Sequence, residues 1–343
     1  MKKKNVLLDI LHNPLSQIAI FVIVLSIVQF LNTKGLVSSS FVQAIGSTMI
    51  YSIVAIGFCL LLGYSGLATL GTGGFIGVGT YVAFFMIQEY ELPYALAFIA
   101  AVVLAAVIGV VVGFISLRIE GIYLAILTLG LSEIIRNLLM VIKSTIKIDV
   151  DHVRLFGVKI GSQGVYYLIL FTFAVLMWLL FNLINSPTGR AMLAMKNSTS
   201  AAQAMGISLM KYRLMSFVIS VIFAAIGGVL YMMFIRTITT STSTLLTLTT
   251  SLNILGAVII GGAKSLWGTT FGTFIIYGLQ AMFLSNIPFF RENPAFITMV
   301  TGVLIIVVVM FFPGGFAQIA SQFAAWLKKK RATVKAKSGK ETV

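Results

Sequence analysis

The stretch SPTGRAMLAMKNSTSAAQAMGISLMKYRLMSF, residues 186–217, interleaves polar and cationic side chains with small helix formers and contains no carboxylate. On either side of it the chain is almost unbroken hydrocarbon. That contrast decides the solvent of the fold. Of 343 residues, 59% are hydrophobic and 10% are charged, too little polar side chain to cover an aqueous globule. The chain belongs in a bilayer, and residues 186–217 are a polar interruption of it.

A hydrocarbon core about 30 Å thick needs roughly 20 apolar residues per helix, and about ten such runs can be placed. They lie near 15–32, 41–62, 72–87, 93–117, 121–142, 165–185, 213–235, 245–262, 268–286 and 295–312. Most lack the alternation of barrel strands, so the expectation is an all-α polytopic membrane bundle. The first 14 residues carry a basic head without a small-residue cleavage site, and Pro14 opens a run long enough to span, which reads as an uncleaved first helix. Residues 15–316 then form the membrane domain, with residues 186–212 as an inner loop, and residues 317–343 form a basic tail. Cys59 is the lone cysteine, which rules out an intrachain disulfide.

Charge orients the bundle. With a cytoplasmic opening and ten crossings, both termini are cytoplasmic and 16 of the 24 Lys and Arg fall inside, seven in the tail from Lys328. Seven fall outside, Arg136 lies within a span, and five of the nine acids (Glu89, Glu91, Asp149, Asp151, Glu292) are outside. This bias follows the positive-inside rule and predicts a multi-pass protein of the cell membrane. The net charge of +15 and the tail LKKKRATVKAKSGKETV fit anionic headgroups rather than nucleic acid, because the tail directly follows the last apolar run.

Glycine concentrates in LLGYSGLATLGTGGFIGVGTY, residues 61–81, and in LGAVIIGGAKSLWGTTFGTF, residues 255–274. Both contain a Gly-xxx-Gly spacing, Gly73 with Gly77 and Gly268 with Gly272, which suits close helix packing. As clusters they predict two breaks or re-entrant segments, since broken backbone at membrane depth must be buried in protein or line a polar cavity. Gly71, Thr72, Gly73, Gly74, Gly261 and Gly262 are the candidate translocation residues, in what reads as a weak duplication of helix, break, helix.

Catalytic chemistry has no candidates. The nearest phosphate-loop sequence, GGAKS at 261–265, has Ala263 where a glycine should precede the lysine, and no strand context. His12 and His152 stand in unrelated regions and make no metal set or triad, and His152 reads as part of a solvated loop cluster with Asp149, Asp151 and Arg154. Residues 143–164 make an outer gap long enough to suggest local helices or a function. In LTLGLSEIIRNLL, Glu133 and Arg136 are three apart and neutralise each other near the end of a span, either as a functional pair or as a structural one.

Residues 186–212 read as short helices joined at Gly206. Pro187 starts the first, Lys196 sits near its C-terminal end, Ser200 and Gln203 have capping-box spacing, and Ser208 can cap the helix that follows. The elbow would expose Ala201, Ala202, Ala204 and Met205, which suits either a partner's groove or a lipid interface.

GRAMLAMKNS followed by AAQAMGI resembles the coupling loop of ABC importer permeases. LLGYSGLATLG, LRIEGIYLAILTLGLSEIIR, SLWGTTFGTF and FFPGG follow the order and rough spacing of the membrane subunits of branched-chain amino acid ABC importers, over about residues 45–316. The resemblance implies a permease that is not itself an enzyme and binds no cofactor. ATP would be bound by two cytoplasmic ATPase subunits, with a second permease and an extracytoplasmic solute-binding protein as further partners. Arg190, Ala201, Ala202 and Gly206 match the coupling motif and, with Lys196 and Ser200, form the candidate coupling set. Ser200 stands where the wider motif has glutamate, so no salt bridge is available there. Two departures, Thr72 in place of a histidine and an outer loop poor in glycine, leave the cargo open. A branched-chain amino acid is the first reading, a sugar, nucleoside or other small polar solute is the alternative, and an ion-coupled carrier is the remaining one.

Overall fold

The computed structural model describes residues 14–318 except 117–120, 150–153, 156–157, 160, 241–242, 283, 285–286, 293, 312–313 and 317. His152 and nearly all of the N-terminal segment and basic tail lie outside the described residues. Among the described residues, six helices are long and apolar enough to cross a membrane. In the numbering used here they begin with α1 (Pro14–Thr33), α2 (Ser39–Cys59, continued by a π-helical turn at Leu60–Ser65), α4 (Tyr94–Ser116) and α5 (Ile122–Ile142). The other two are α6 (Ser162–Asn185) and α9 (Leu209–Ile235). Where spans were expected near 72–87, 245–262 and 268–286, the helices are shorter: α3 (Thr72–Phe84), α10 (Leu248–Gly261) and α11 (Leu266–Thr273), whereas the run near 295–312 is helical as α14 (Pro294–Phe311), preceded by the short α13 (Pro288–Glu292). A π segment at Phe85–Glu89 extends α3, and another at Phe274–Gly278 leads from α11 into α12 (Leu279–Met282).

In lipid, apolar side chains gain nothing by leaving one hydrocarbon for another, so the bundle has to be held by close packing and internal hydrogen bonds. The centre is built that way. α2 and α9 are the most buried of the six long helices, and α3 lies against α9. The α3–α9 crossing places Gly79 on the Ala225 carbonyl and Gly228 on the Ile76 carbonyl, so a Cβ at either position would overlap backbone. α11 joins α2 through Ser52 Oγ and Thr273 Oγ1, 2.5 Å apart, and Tyr51 stacks on Tyr277 with ring centroids 3.8 Å apart.

The two ends of the bundle differ. One gathers α7 (Pro187–Asn197), α8 (Thr199–Ala204) and the α10–α11 turn; it is called the elbow end below. The other carries three short strands, β1 (Thr145–Lys147), β2 (Arg154–Leu155) and β3 (Val158–Lys159), where helices were one expectation. β1 pairs antiparallel with β4 (Thr237–Thr239), Ile146 opposite Ile238, and both isoleucines are buried. Alternation of β-branched and polar residues in TIKI and TIT is the local cause. Lys143 binds Glu89 at 2.6 Å and Tyr81 donates to the Lys143 carbonyl, which anchors α3 at this strand end.

If close backbone approach at the α3–α9 crossing holds the bundle, Gly228→Leu should cost about 1–3 kcal/mol or more by overpacking. Its thermal unfolding midpoint in detergent should fall, whereas Gly302→Leu, which has open space around it, should leave the midpoint in place. Equal midpoints for the two would contradict this account.

Candidate functional site

The elbow begins where α6 ends. Ser186 caps α7, its Oγ accepting from the Gly189 N–H at 3.4 Å, and Pro187 occupies the first helical position, where a missing N–H costs nothing. The cap of α8 is Ser198, which accepts from Ala201 N–H at 3.3 Å; the expected Ser200 is instead exposed inside the first turn. Ser198 wins because its backbone is extended while Ser200 is already helical. α8 closes at Gly206, whose φ of +77° is the left-handed conformation, and Ile207 N–H reaches back to the Ala202 carbonyl at 3.0 Å. Ser208 stands at the N-cap of α9 without a side-chain cap bond, and α9 runs 27 residues from the elbow into the bundle.

One face of this elbow is anchored and the other is bare. Met192, Met195 and Ala202 are buried, which corrects the expectation that Ala202 is exposed: it lies on the inward side of α8. Arg190, Ser200, Ala201, Ala204 and Met205 are exposed, Met205 at 69%. Lys196 turns inward. Its Nζ donates to the Gly63 carbonyl at 2.8 Å and the Leu62 carbonyl at 3.1 Å, binding two acceptors of the π turn that ends α2. Desolvation, and then the charge of Lys264, hold this ammonium below its ordinary pKa. The α10–α11 turn meets the same place: Cys59 Sγ donates to the Ala263 carbonyl at 3.1 Å and Tyr64 OH to the Lys264 carbonyl at 3.0 Å. The two glycine-rich stretches thus touch each other and the elbow.

From there the chain climbs through residues 66–71 to the start of α3, which lies against the middle of α5. Leu70 N–H donates to Thr128 Oγ1 at 3.1 Å and Gly74 N–H to Ser132 Oγ at 2.8 Å. Gly73 N–H donates to Ser251 Oγ at 3.0 Å, and Gly73 also lies on the Leu246 and Thr247 carbonyls. α3 and α10 therefore begin side by side at half height. They run opposite ways, α3 to the strand end and α10 to the elbow end, which is why they are only 13 and 14 residues long.

The candidate translocation residues fall into two groups here. Gly71, Thr72, Gly73 and Gly74 cluster at the start of α3; Gly261 and Gly262 end α10 near the elbow, with Gly261 on the Gly268 carbonyl. All six are buried against protein. Thr72 Oγ1 is buried with no hydrogen-bond partner. Sequence reasoning missed the hydroxyls at the start of α3, Thr128, which accepts from Leu70, and Ser132 and Ser251, which accept from Gly74 and Gly73; nothing local in the sequence marks them.

Glu133 and Arg136 are paired at 2.7 Å, with Asn137 donating to the Glu133 carbonyl at 2.8 Å. The pair was expected near the end of a span; α5 runs Ile122–Ile142, so Glu133 lies just past its middle and Arg136 in its last third. It is on the outside of the bundle: the Glu133 side chain is 50% exposed, between exposed Ile134 and Leu138. Ser132, the next residue, points inward to α3.

Residues 40–309 match the family model described as the permease component of branched-chain amino acid transport systems. The chain belongs to this family. It is similar to the high-affinity branched-chain amino acid transport system permease protein LivM of Salmonella typhimurium and to that of Escherichia coli K12. Each is 30% identical over 226 residues, covering 57% of this chain and 53% of the relative. The chain spans about half the length of these curated relatives. No solved structure matches it. The chain is thus a member of an amino-acid transport permease family and has, among the described residues, several helices long and apolar enough to cross a membrane.

Lys196 is a cation bound to backbone at the end of α2. Lys196→Met should remove two charge-assisted hydrogen bonds, cost about 1–3 kcal/mol and speed amide exchange in residues 60–70 as well as in α7 and α8. Faster exchange confined to α7 and α8 would mean that Lys196 holds only its own helix.

Proposed function

We propose that this chain is a permease subunit of an ATP-binding-cassette importer that carries branched-chain amino acids across the cell membrane. Two cytoplasmic ATPase subunits, a second permease and an extracytoplasmic solute-binding protein complete the system in this reading. The elbow end is cytoplasmic, as are both termini, and the chain crosses ten times, α3 with α10 and α11 with α14 supplying the shorter passes. ATP binds to the partners, and the chain itself contributes the route and its lever.

The observation that carries the proposal is the pair of bare faces. At the elbow, Arg190, Ala201, Ala204 and Met205 form a small-residue surface on a segment held to the bundle from behind by Lys196, the geometry of a lever that a partner grips. On α5, an ion pair and an amide sit past mid-helix on the outside of the bundle. A charge at the bilayer centre costs several kcal/mol, so this face requires protein or water against it. A second permease and an aqueous route between the two supply both.

Contacts connect the two faces. Movement of α7 acts through Lys196 on the π turn at Leu62 and Gly63, that turn leads through residues 66–71 to the start of α3, and Gly74 is bonded to Ser132 beside Glu133. In the described state the glycines at 71–74 are covered by protein, so the solute passes only when α3 and α10 separate from α5. This is alternating access, with the positive ends of two half-length helices near the midplane to receive a carboxylate.

Two measurements test this. In the assembled complex Gly206→Trp should leave ATPase activity in place and abolish its stimulation by solute-loaded binding protein, since a bulky side chain at φ +77° deforms the gripped surface. Unchanged stimulation would overturn the coupling role. Glu133→Gln should cut leucine uptake at least several-fold at normal membrane abundance; normal uptake would mean that the α5 face does not line the route.

A further inference from the structure

A cleft of about 250 Å³ opens at the elbow end between α1, α6 and the start of α11. Ile18, Met177, Phe181 and Trp267 line its depth, and Lys264 and Asn185 are exposed at its mouth. The indole of Trp267 is fixed by an edge-on contact with Phe21, ring centroids 5.3 Å apart at 77°. α1 carries a largely exposed surface, so the cleft faces the surrounding lipid rather than the bundle centre.

Among the described residues no carboxylate compensates the charge at the mouth. The described ion pairs are Glu133–Arg136, Glu89–Lys143 and Asp149–Lys147, the first at mid-bundle and the other two at the strand end. None involves Lys264, and Lys196, the cation it repels, is bound to carbonyl oxygens rather than to a carboxylate. An apolar slot beside an aromatic ring, closed at its polar edge by an ammonium with no carboxylate partner among the described residues, has the pattern of an acyl chain below a phosphate.

We propose that this cleft is a binding site for an anionic phospholipid of the leaflet at the elbow end, with an acyl chain along Ile18, Phe181 and Trp267 and the phosphate at Lys264. The Lys264 carbonyl is held by Tyr64, on the same π turn that Lys196 grips. The lipid is therefore seated against the turn that connects the elbow to α3, and its headgroup charge offsets the repulsion between Lys264 and Lys196. The site stands whatever solute the permease carries.

The test uses the full-length chain in nanodiscs, with Trp178→Phe and Trp326→Phe so that Trp267 is the remaining fluorophore. Phosphatidylglycerol brominated on its acyl chains should quench Trp267 at a several-fold lower mole fraction than phosphatidylcholine brominated in the same way. Lys264→Gln should erase that difference, and Lys211→Gln, on an exposed cation elsewhere at the elbow end, should preserve it. Equal quenching by the two lipids in the parent, or a preference that survives Lys264→Gln, would overturn the proposal. As a check without the tryptophan changes, native mass spectrometry from mixed-lipid nanodiscs should show phosphatidylglycerol retained by the wild-type chain and lost from Lys264→Gln; equal retention by both would also overturn it.

Discussion

A helix that starts halfway across a bilayer leaves backbone N–H groups where no water can reach them, and each group left unpaired there costs several kcal/mol. The structure around α3 follows from that constraint. Ser132 and Ser251 reach in from α5 and α10 to bind Gly74 and Gly73, and Thr128 binds Leu70. Glycine at these positions lets neighbouring backbone and hydroxyls come close enough to do so, as the approach of Gly73 to the Leu246 and Thr247 carbonyls requires. Three helices are thereby committed to one another at a single level of the bundle, and two of them, α3 and α10, begin there. In the proposed function this junction is the gate, its few side-chain hydrogen bonds being exchanged for those of a polar solute.

The elbow depends on the same economy of bonds. Lys196 gives the end of α2 the cationic partner that a helix C-terminus favours, and at the same time ties α7 to the turn that leads to α3. In the proposed function, force applied at Met205 or Ala204 reaches the backbone carbonyls of Leu62 and Gly63 through the Lys196 side chain. Cys59 and Tyr64 add the α10–α11 turn to that connection, so both half-length helices share one anchorage at the elbow end.

Much of this was legible in the sequence, for physical reasons that differ by element. The six long spans are visible because twenty apolar residues in a row have one plausible solvent. The elbow is visible because Pro187 and Gly206 have strong positional preferences that the structure honours. Ser200 was misread as a cap because spacing alone cannot tell which of two nearby serines has extended backbone, and the structure chose Ser198. Exposure of Ala202 was misjudged because a six-residue helix shows too little periodicity to define a face. The half-height meeting of α3 and α10 was hidden, since apolar composition reads the same whether a helix crosses or stops midway. Its hydroxyl partners lie 58 and 178 residues away in sequence and carry no local signal. The position of Glu133 and Arg136 on an outer face was likewise hidden, because packing and not sequence decides which side of a helix is left uncovered.

At the centre of the account stands one claim, that the chain is a gate without a motor of its own. The most direct test compares leucine uptake by proteoliposomes holding the chain alone under a proton or sodium gradient with uptake by proteoliposomes holding it with the proposed ATPase partners, the proposed binding protein and ATP. Accumulation against a gradient only in the second preparation is the predicted result. Uphill accumulation by the chain alone, driven by the ion gradient, would contradict it.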